Sequence, residues 1–369
     1  MKSASKKFVI IALSIFLVLI IGAGTLTAVI DPYFHFHAPL SAFRYPLNNE
    51  RYQNYGIARN FDYNAVIAGT SMSENFKPSE FDALFNVKSV KLPFSGGSHL
   101  EVNEELKFAF AHNDSISTVI RNVDLFRAFD NKDSRDYALD TYPTYLYDDN
   151  LLNDVGYVFN KEVFFKATAS VIIRTLRHGK TDTLDSYMNW NNYYPFGPKG
   201  IQQKYSRNMV VPTGNSTITE KEYEDIRGNI EENILKLAEE HPETTFYIYV
   251  SPYSIYFFDY INELGELDRY QNAERYILSL LVGHDNIRVF AFYTEEETVC
   301  NPYNYRDVAH HSEAVNSQIL LWLKEGHGEL TKDTYEAYCD RVWEFYHTYD
   351  YDSLFEADGY TIAEPETAK

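Results

Sequence analysis

The chain is poor in cysteine, with only Cys300 and Cys339 among its 369 residues. Two cysteines cannot form the disulfide framework that holds many small secreted domains together. Neither lies in a Cys-x-x-Cys motif or a Cys/His cluster, so the sequence offers no structural zinc site and we expect no bound metal. Whether the two thiols are free or paired stays open.

Positive charge is also scarce. The chain has 33 Lys and Arg against 53 Asp and Glu, which gives a formal net charge of −20. No stretch is basic enough to face a phosphate backbone, so the composition excludes nucleic acid as a partner. The length suits one large domain or two small ones and allows a substantial hydrophobic core.

Long apolar runs are rare, with one exception near the amino terminus. Residues 8–30 are uncharged and follow Lys2, Lys6 and Lys7. As a helix this run would span roughly 34 Å, enough for a bilayer core. Lysines on its amino side predict residues 1–7 in the cytoplasm, a transmembrane helix over 8–30, and the rest outside the cell membrane. A cleaved signal peptide is the alternative, because "GAGTLTA" contains the small residues typical of cleavage sites. The length of the run favours an uncleaved, single-pass anchor.

Beyond residue 63 the sequence alternates between short apolar runs and amphipathic stretches. The apolar runs predict strands over 64–69, 87–93, 117–126, 244–252 and 286–292. The amphipathic stretches predict helices over 78–85, 98–113, 219–241, 267–283 and 312–327. About five strands alternating with helices predict a parallel sheet with helices on both faces, within an α/β domain that spans residues 31–330.

Three regions do not follow this alternation. Residues 31–62 are aromatic and contain prolines, and we expect them to pack on the domain. Residues 127–217 are rich in Tyr, Asn and Asp, and we interpret them as an insertion with a helical centre near 151–178. The last region, 331–369, predicts a further helix over 331–347 and a disordered acidic tail from about Glu356.

Polar residues and glycines follow the predicted strands at the points where those strands end. They are Gly69, Thr70 and Ser71 after the first strand, Gly96 and Gly97 after the second, Asn122 and Asp124 at the third, and Asp307, His310 and His311 between the last strand and the last helix. Because the carboxyl ends of parallel strands meet at one edge of a sheet, these residues are expected to lie close together.

The residue types in this set are those of a serine nucleophile system. A serine hydroxyl reacts poorly until a base takes its proton, and histidine is the usual base near neutral pH. An aspartate on the other ring nitrogen orients the histidine. We therefore predict Ser71 as nucleophile, His310 as base and Asp307 as its orienting carboxylate. His311 is an alternative base, although the Asp-x-x-His spacing favours His310.

Stabilisation of an oxyanion would need hydrogen-bond donors beside Ser71. Glycine lets the backbone approach a reacting carbonyl closely, so the N–H groups of Gly96 and Gly97 are candidates, together with the backbone N–H of Ser71 itself. The side chain of Asn122 could add a third donor. Each motif alone is a common turn, and their joint order along the chain is the stronger signal.

That order resembles the SGNH, or GDSL-type, hydrolase superfamily. The family has Gly-Asp-Ser in its first block, a glycine in its second, Gly-x-Asn-Asp in its third and Asp-x-x-His in its last. Here Gly69-Thr70-Ser71 carries threonine in place of aspartate, Gly96 or Gly97 matches the second block, and "DVAH" at 307–310 matches the last in full. The third block departs, since "IRNVDLF" lacks its spacing, so either Asn122 or Asp124 stands at the asparagine position.

Longer segments narrow the resemblance. "DPYFHFHAP", "LPFSGG" and "SPYSI" look like a membrane-anchored, outward-facing branch of SGNH-like proteins from Gram-positive bacteria. That branch is distantly similar to the D-alanine transfer protein of teichoic-acid D-alanylation and to polysaccharide O-acetylation proteins. The resemblance implies a flavodoxin-like three-layer α/β/α domain and a serine esterase or acyltransferase that acts on a cell-envelope glycan or teichoic-type polymer.

The same resemblance implies no organic cofactor and suggests an acyl-donor partner protein at the membrane. The alternative is a catalytically inactive protein of the same fold that binds a polymer or a membrane partner. An unrelated flavodoxin-like binding protein would share the strand–helix alternation but would have no reason to bring Asp307 and His310 to Ser71.

Overall fold

The protein is described by a computed structural model over residues 2–138, 142–150, 152–190 and 194–356. It divides into two compact units. The first combines Met1–Asp62 with Tyr137–Tyr187, and the second combines Tyr63–Asp136 with Met188–Lys369. Residues 127–217, the predicted insertion, are thus divided between the two units. The tail predicted to be disordered lies almost wholly in 357–369, outside the described residues.

The second unit is built on a mostly parallel sheet, which over the described residues has six strands in the order β2-β1-β3-β4-β5-β6. The strands are β1 (Ala65–Gly69), β2 (Ser89–Pro93), β3 (Thr118–Val123), β4 (Thr245–Val250), β5 (Ile287–Ala291) and β6 (Glu329–Leu330). The first five are parallel and match the predicted strands, each slightly shorter than expected. Strand β6 pairs antiparallel with β5 and was not predicted, because two residues are too few to show an alternation. The mixed α/β class is confirmed.

Burial of both faces of the sheet explains why the strands are continuous apolar runs in the sequence. Every residue of β1 is buried, and successive side chains point to opposite faces of a sheet. Ala65 and Ile67 therefore belong to one face, where they pack with Phe81 and Ile319 in the core. Val66 and Ala68 belong to the other face and are also fully buried. Both faces are covered, as in other parallel sheets.

The helices lie between and after the strands. In chain order they are α1 (Lys2–Ile30), α2 (Glu50–Asn60), α3 (Pro78–Phe85), α4 (His99–His112), α5 (Val155–Val158), α6 (Ala169–Leu176), α7 (Pro198–Gln202), α8 (Glu220–Ile230), α9 (Lys236–Glu240), α10 (Ile255–Glu263), α11 (Leu267–Leu281), α12 (Glu296–Val299), α13 (Glu313–Glu325), α14 (Tyr335–Thr348) and α15 (Ser353–Glu356). Two π-helical segments, Val163–Thr168 and Glu231–Leu235, precede α6 and α9. The five predicted helices of the alternating region are present, although the one over 219–241 is broken by its π-helical segment.

Helix α2 in the first unit was not predicted. Its buried residues include Gln53 and Asn54, so its sequence shows no regular apolar stripe. Gly56 brings this helix against the backbone of Tyr33, where an added Cβ would lie 2.1 Å from the carbonyl oxygen. The helix therefore depends on tertiary packing that its own pattern does not display.

Helix α1 contains the apolar run. Within Lys6–Ile30 an 18-residue window reaches a mean hydropathy of 2.8, and the helix is long and apolar enough to cross a membrane. A signal sequence near an amino terminus would also meet these requirements of length and composition.

Candidate functional site

The turn after β1 places Ser71 at the carboxyl edge of the sheet. Strand β1 ends at Gly69, and a 3-10 turn begins at Ser71. Gly69 has φ +146°, and a Cβ there would lie 2.0 Å from Oδ1 of Asn122. Only glycine fits between this backbone and the asparagine side chain.

Asn122 connects the ends of three strands. Its Oδ1 accepts a hydrogen bond from the Thr70 N–H at 3.0 Å. Its Nδ2 donates to Thr70 Oγ1 and to Ser251 Oγ, both at 3.2 Å. The amide of Asn122 is thus directed to two hydroxyl groups, and the side chain holds the turn that carries Ser71.

Thr70 is held from a second side by Asp124. The Thr70 hydroxyl donates to Asp124 Oδ2 at 3.0 Å, and Asp124 Oδ1 accepts from the Phe126 N–H at 3.1 Å. Burial raises the pKa of Asp124 above its ordinary value, although these hydrogen bonds oppose the shift. Thr70, Asn122 and Asp124 form one hydrogen-bonded cluster behind the nucleophile candidate.

Asp307 and His310 lie together in the loop before α13. The Asp307 carboxylate accepts hydrogen bonds from the backbone N–H groups of Ala309 and His310, at 3.0 and 2.8 Å. The His310 Nδ1 lies 2.9 and 2.8 Å from the two carboxylate oxygens of Asp307. Burial by itself would raise the pKa of Asp307, but the hydrogen bonds from His310 and Ala309 outweigh it and hold that pKa below its ordinary value. Asp307 is therefore ionised.

The other ring nitrogen of His310 reaches the nucleophile candidate. Its Nε2 lies 2.8 Å from Ser71 Oγ, between residues 239 positions apart in the chain. With Nδ1–H donated to Asp307, Nε2 is free to accept the Ser71 proton. The structure thus brings Ser71, His310 and Asp307 into one hydrogen-bonded chain, which is the arrangement that activates a serine hydroxyl.

His310, and not the neighbouring His311, contacts Ser71. His311 is 2% exposed, and its desolvation lowers its pKa to about 3. Its backbone oxygen accepts a hydrogen bond from Asn75 Nδ2 at 2.8 Å, and it pairs with Tyr305 in an isolated β-bridge. Of the two histidines that the sequence offered, the structure places His310 beside Ser71 and buries His311.

Two residues that sequence reasoning missed lie against His310. The Trp190 ring packs on the imidazole with a centroid separation of 4.2 Å. The guanidinium of Arg306 lies over the rings of Trp190 and Tyr194, with its Cζ 4.4 and 3.8 Å from their centroids. Its Nε is 3.5 Å from Asp307 Oδ2. Arg306 had only its position next to Asp307 as a signal, and Trp190 had none.

The glycines after β2 differ in how their backbone groups are used. The Gly97 N–H donates to the Phe94 carbonyl at 2.9 Å. Gly96 has φ +64°, and its carbonyl accepts from Arg127 Nη2 at 2.9 Å. Among the residues that the structure describes, the N–H groups of Gly96 and Ser71 have no hydrogen-bond partner. These two N–H groups are therefore available as donors.

In the described ranges no cluster of three or more His, Cys, Asp or Glu residues could hold a metal ion. Cys300 and Cys339 are free thiols.

Comparisons with known proteins leave the family open. No family model matches the chain, and no curated protein matches it in sequence. A solved structure from Streptococcus pneumonia, provisionally described as a platelet activating factor, aligns over 75% of this chain and 91% of its own. The identity is 11% and the TM-score 0.40, which is too distant to assign a function.

Proposed function

We propose that this chain is a serine-dependent esterase or acyltransferase. The observation that carries the proposal is the 2.8 Å contact between Ser71 Oγ and His310 Nε2, with Asp307 on the opposite ring nitrogen. A hydroxyl in contact with an oriented imidazole is the structural signature of a nucleophile paired with its base.

In the first half of the reaction Ser71 Oγ attacks the carbonyl carbon of an acyl ester. Its proton moves to His310 Nε2 as the new C–O bond forms, and the Asp307 carboxylate stabilises the imidazolium. The ester C–O bond then breaks, and the departing alcohol oxygen takes the proton from His310. The acyl group is left on Ser71.

In the second half a hydroxyl compound takes the place of the alcohol. Water, or a hydroxyl of an acceptor, gives its proton to His310 and attacks the carbonyl carbon of the acyl group on Ser71. The proton returns to Ser71 Oγ when the acyl–serine bond breaks. Water as the attacking group makes the enzyme an esterase, and an acceptor hydroxyl makes it an acyltransferase.

The tetrahedral intermediates of both halves need donors for the oxyanion. We assign this role to the backbone N–H groups of Ser71 and Gly96, because they are unengaged among the described residues. Gly97 and Asn122, the other candidates from sequence, use their N–H groups to shape the loop and to hold Thr70.

The SGNH-type resemblance supports this reaction class. Thr70 replaces the family's aspartate, and the hydrogen bonds of Thr70 with Asn122 and Asp124 provide an equivalent support for the Ser71 turn. We further propose a single-pass anchor over residues 8–30 that places the domain outside the cell membrane. The substrate would be a cell-envelope glycan or teichoic-type polymer. An acyl-donor partner would supply the acyl group.

Two features near His310 favour a glycan. Aromatic rings stack on sugar rings, and both Trp190 and the exposed Tyr194 lie beside the reactive groups. Arg306 lies at the same place, but its ion pair with Asp307 balances its charge, so the net charge of −20 favours a neutral glycan over a strongly anionic polymer.

A catalytically inactive binding protein of the same fold is the second candidate. The observation in its favour is that the Asn122 amide donates to Thr70 and Ser251. Asn122 therefore has no N–H left to serve as the third oxyanion donor.

Covalent labelling of the full-length protein with a fluorophosphonate decides between the two. We expect one adduct, located at Ser71 by mass spectrometry and absent in Ser71→Ala and His310→Ala. Ser279→Ala, at an exposed serine of α11, serves as the matched control and should label normally. An adduct that persists in Ser71→Ala would overturn the assignment, and a folded wild-type protein that never labels would favour the binding role.

A further inference from the structure

The first unit carries an exposed apolar face that the proposed activity does not use. It lies on the segment from residue 152 to 176, which contains α5, the π-helical turn Val163–Thr168 and α6. The large apolar side chains exposed on it are Leu152, Val155, Phe159, Phe165, Ile173 and Leu176, each between 49% and 86% exposed. So much exposed apolar surface on a short segment marks a surface that is covered by something else.

This segment packs against the outer end of α1. An added Cβ at Gly24 would lie 3.0 Å from Val158 and 3.1 Å from Phe159. Helix α1 buries Gly24, Thr27 and Ile30 on one face, at a spacing of three residues, while most of its length is exposed. The apolar face is therefore continuous with the apolar helix.

The point of contact sets the depth of the segment. Gly24 lies about 9 Å along the axis from the end of α1 at Ile30, at 1.5 Å per residue. If α1 spans the bilayer to Ile30, Val158 and Phe159 lie at that depth below the boundary of the apolar layer. An amphipathic helix that lies in a membrane interface is buried by roughly 5–10 Å, so the two depths agree.

The charge of the segment also indicates contact with a membrane. Residues 151–182 contain five basic residues, Lys161, Lys166, Arg174, Arg177 and Lys180, against Asp154, Glu162 and Asp182, in a chain whose net charge is −20. Lys166 pairs with Glu162 and Arg174 with Asp182, which leaves Lys161, Arg177 and Lys180 outside the ion pairs of the described residues. A groove of about 550 Å³ on this face combines the apolar side chains of Phe165 and Ile173 with Lys166, Arg174 and Arg177. Apolar walls beside a group of cations suit a phospholipid, whose phosphate meets the cations and whose acyl chains meet the apolar residues.

We propose that residues 152–180 form a second membrane-contacting element, which lies in the outer leaflet beside α1 and binds anionic phospholipid. The element is independent of Ser71 and rests only on the proposed anchor. It fixes the first unit to the bilayer surface by apolar insertion and by contact between its cations and lipid phosphates.

The test measures depth in the full-length protein, reconstituted into vesicles of phosphatidylcholine and phosphatidylglycerol. Phe165→Cys is labelled with an environment-sensitive fluorophore and quenched, in separate samples, by lipids that carry a nitroxide on the upper or on the lower part of the acyl chain. Burial raises the pKa of Cys300 to about 11 and of Cys339 to about 12, so the native thiols react slowly at pH 7. Unmutated protein taken through the same labelling gives the background.

Two variants frame the result. Leu17→Cys, within α1, reports the anchor, and Val211→Cys, 78% exposed in the second unit, reports water. We expect the label at 165 to be quenched several-fold more than the label at 211. Quenching at 17 with none at 165 would overturn the proposal and leave the anchor intact. The same result is expected if a protein partner, and not lipid, covers this face. No quenching at 17 would overturn both.

The role of charge has its own comparison. Arg177→Glu combined with Lys180→Glu should reduce quenching at 165 in vesicles rich in phosphatidylglycerol, and Lys204→Glu, an exposed lysine of the second unit, should leave it unchanged. Equal quenching in pure phosphatidylcholine and in phosphatidylglycerol-rich vesicles would reject the anionic-lipid part of the proposal.

Discussion

At the scale of single residues, Gly69 is the position where the site tolerates least change. Its φ of +146° and the 2.0 Å approach of Asn122 Oδ1 leave no room for a side chain. Gly69→Ala should destabilise the fold by about 1–3 kcal/mol through backbone strain and the displaced asparagine. It should also slow fluorophosphonate labelling at Ser71, because Thr70 loses its support. Urea denaturation and labelling rates measure the two effects.

Gly228 provides the matched control for that substitution. It lies within α8, and an added Cβ would meet only the Lys132 side chain at 3.9 Å. Gly228→Ala should therefore leave labelling intact and stabilise the protein by up to ~1 kcal/mol, the helix propensity difference. If Gly69→Ala behaved like Gly228→Ala, the hydrogen bonds between Asn122 and Thr70 would not be what positions Ser71.

At the scale of elements, the site depends on a segment far from the strand ends in sequence. The Trp190 N–H donates to Asn75 Oδ1 at 2.7 Å, and the Asn189 side chain donates to Glu313 Oε2 at 2.6 Å. These bonds fix the segment that begins at residue 188 against the Ser71 turn and the start of α13. The Trp190 ring is thereby held on the imidazole of His310.

Trp190→Ala should slow labelling of Ser71 several-fold without unfolding the protein, because His310 loses the ring that restrains its orientation. Trp190→Phe should recover most of the rate, since it restores an aromatic face. The decisive readout is the labelling rate at saturating and at low probe concentration. A change confined to probe binding, with the maximal rate unaltered, would show that Trp190 lines the site but does not position His310.

Local pattern predicted the elements well where the core is built from them. Helix α4 begins at Ser98 and Glu101 as a capping box, as its sequence predicted. Helices α2 and α10 were missed: α2 has polar residues at buried positions, and α10 begins with four consecutive apolar residues, Ile255–Phe258, which do not distinguish a helix from a strand. Sequence periodicity detects a helix whose buried positions are apolar and regularly spaced, and it misses helices without that spacing.

At the scale of the whole molecule, buried titratable groups away from the site set the pH dependence of stability. Desolvation lowers the pKa of His99 and of His311 from 6.5 to about 3. The unfolded chain binds protons that these folded histidines do not, so the free energy of unfolding rises with pH between about 3 and 6.5.

Glu274 acts in the opposite sense. Burial raises its pKa from 4.5 to about 8, and the hydrogen bond from the Tyr338 hydroxyl at 3.3 Å opposes that shift. The folded state keeps a proton that the unfolded chain releases, so the stabilisation is complete below pH 4.5 and is lost as pH rises toward 8. Together with the two histidines this predicts maximal stability near pH 6.5.

Glu274→Gln tests this prediction in the full-length protein. Glutamine keeps the shape of the side chain and removes its titration, so the decline in the free energy of unfolding from pH 6.5 to 8 should become shallower. Denaturation in urea at pH 5, 6.5 and 8 measures the slope. An unchanged slope would mean that another group governs the alkaline side.

The sequence by itself determined the parallel strands, the apolar first helix and the set of polar residues at the strand ends. It did so because burial on both faces of a sheet leaves continuous apolar runs, and because each strand end is marked locally by Gly, Ser, Asn or Asp. Asp307 and His310 could also be predicted as a pair, because both belong to one loop and are three residues apart.

Only the tertiary structure decided which of these residues meet. The choice of His310 over His311, the support of Thr70 by Asn122, and the packing of Trp190 on His310 all join positions distant in the chain. Such contacts depend on strand register and on how loops cross the sheet edge. No local pattern encodes these contacts, because the same turn residues could end a strand next to a different loop.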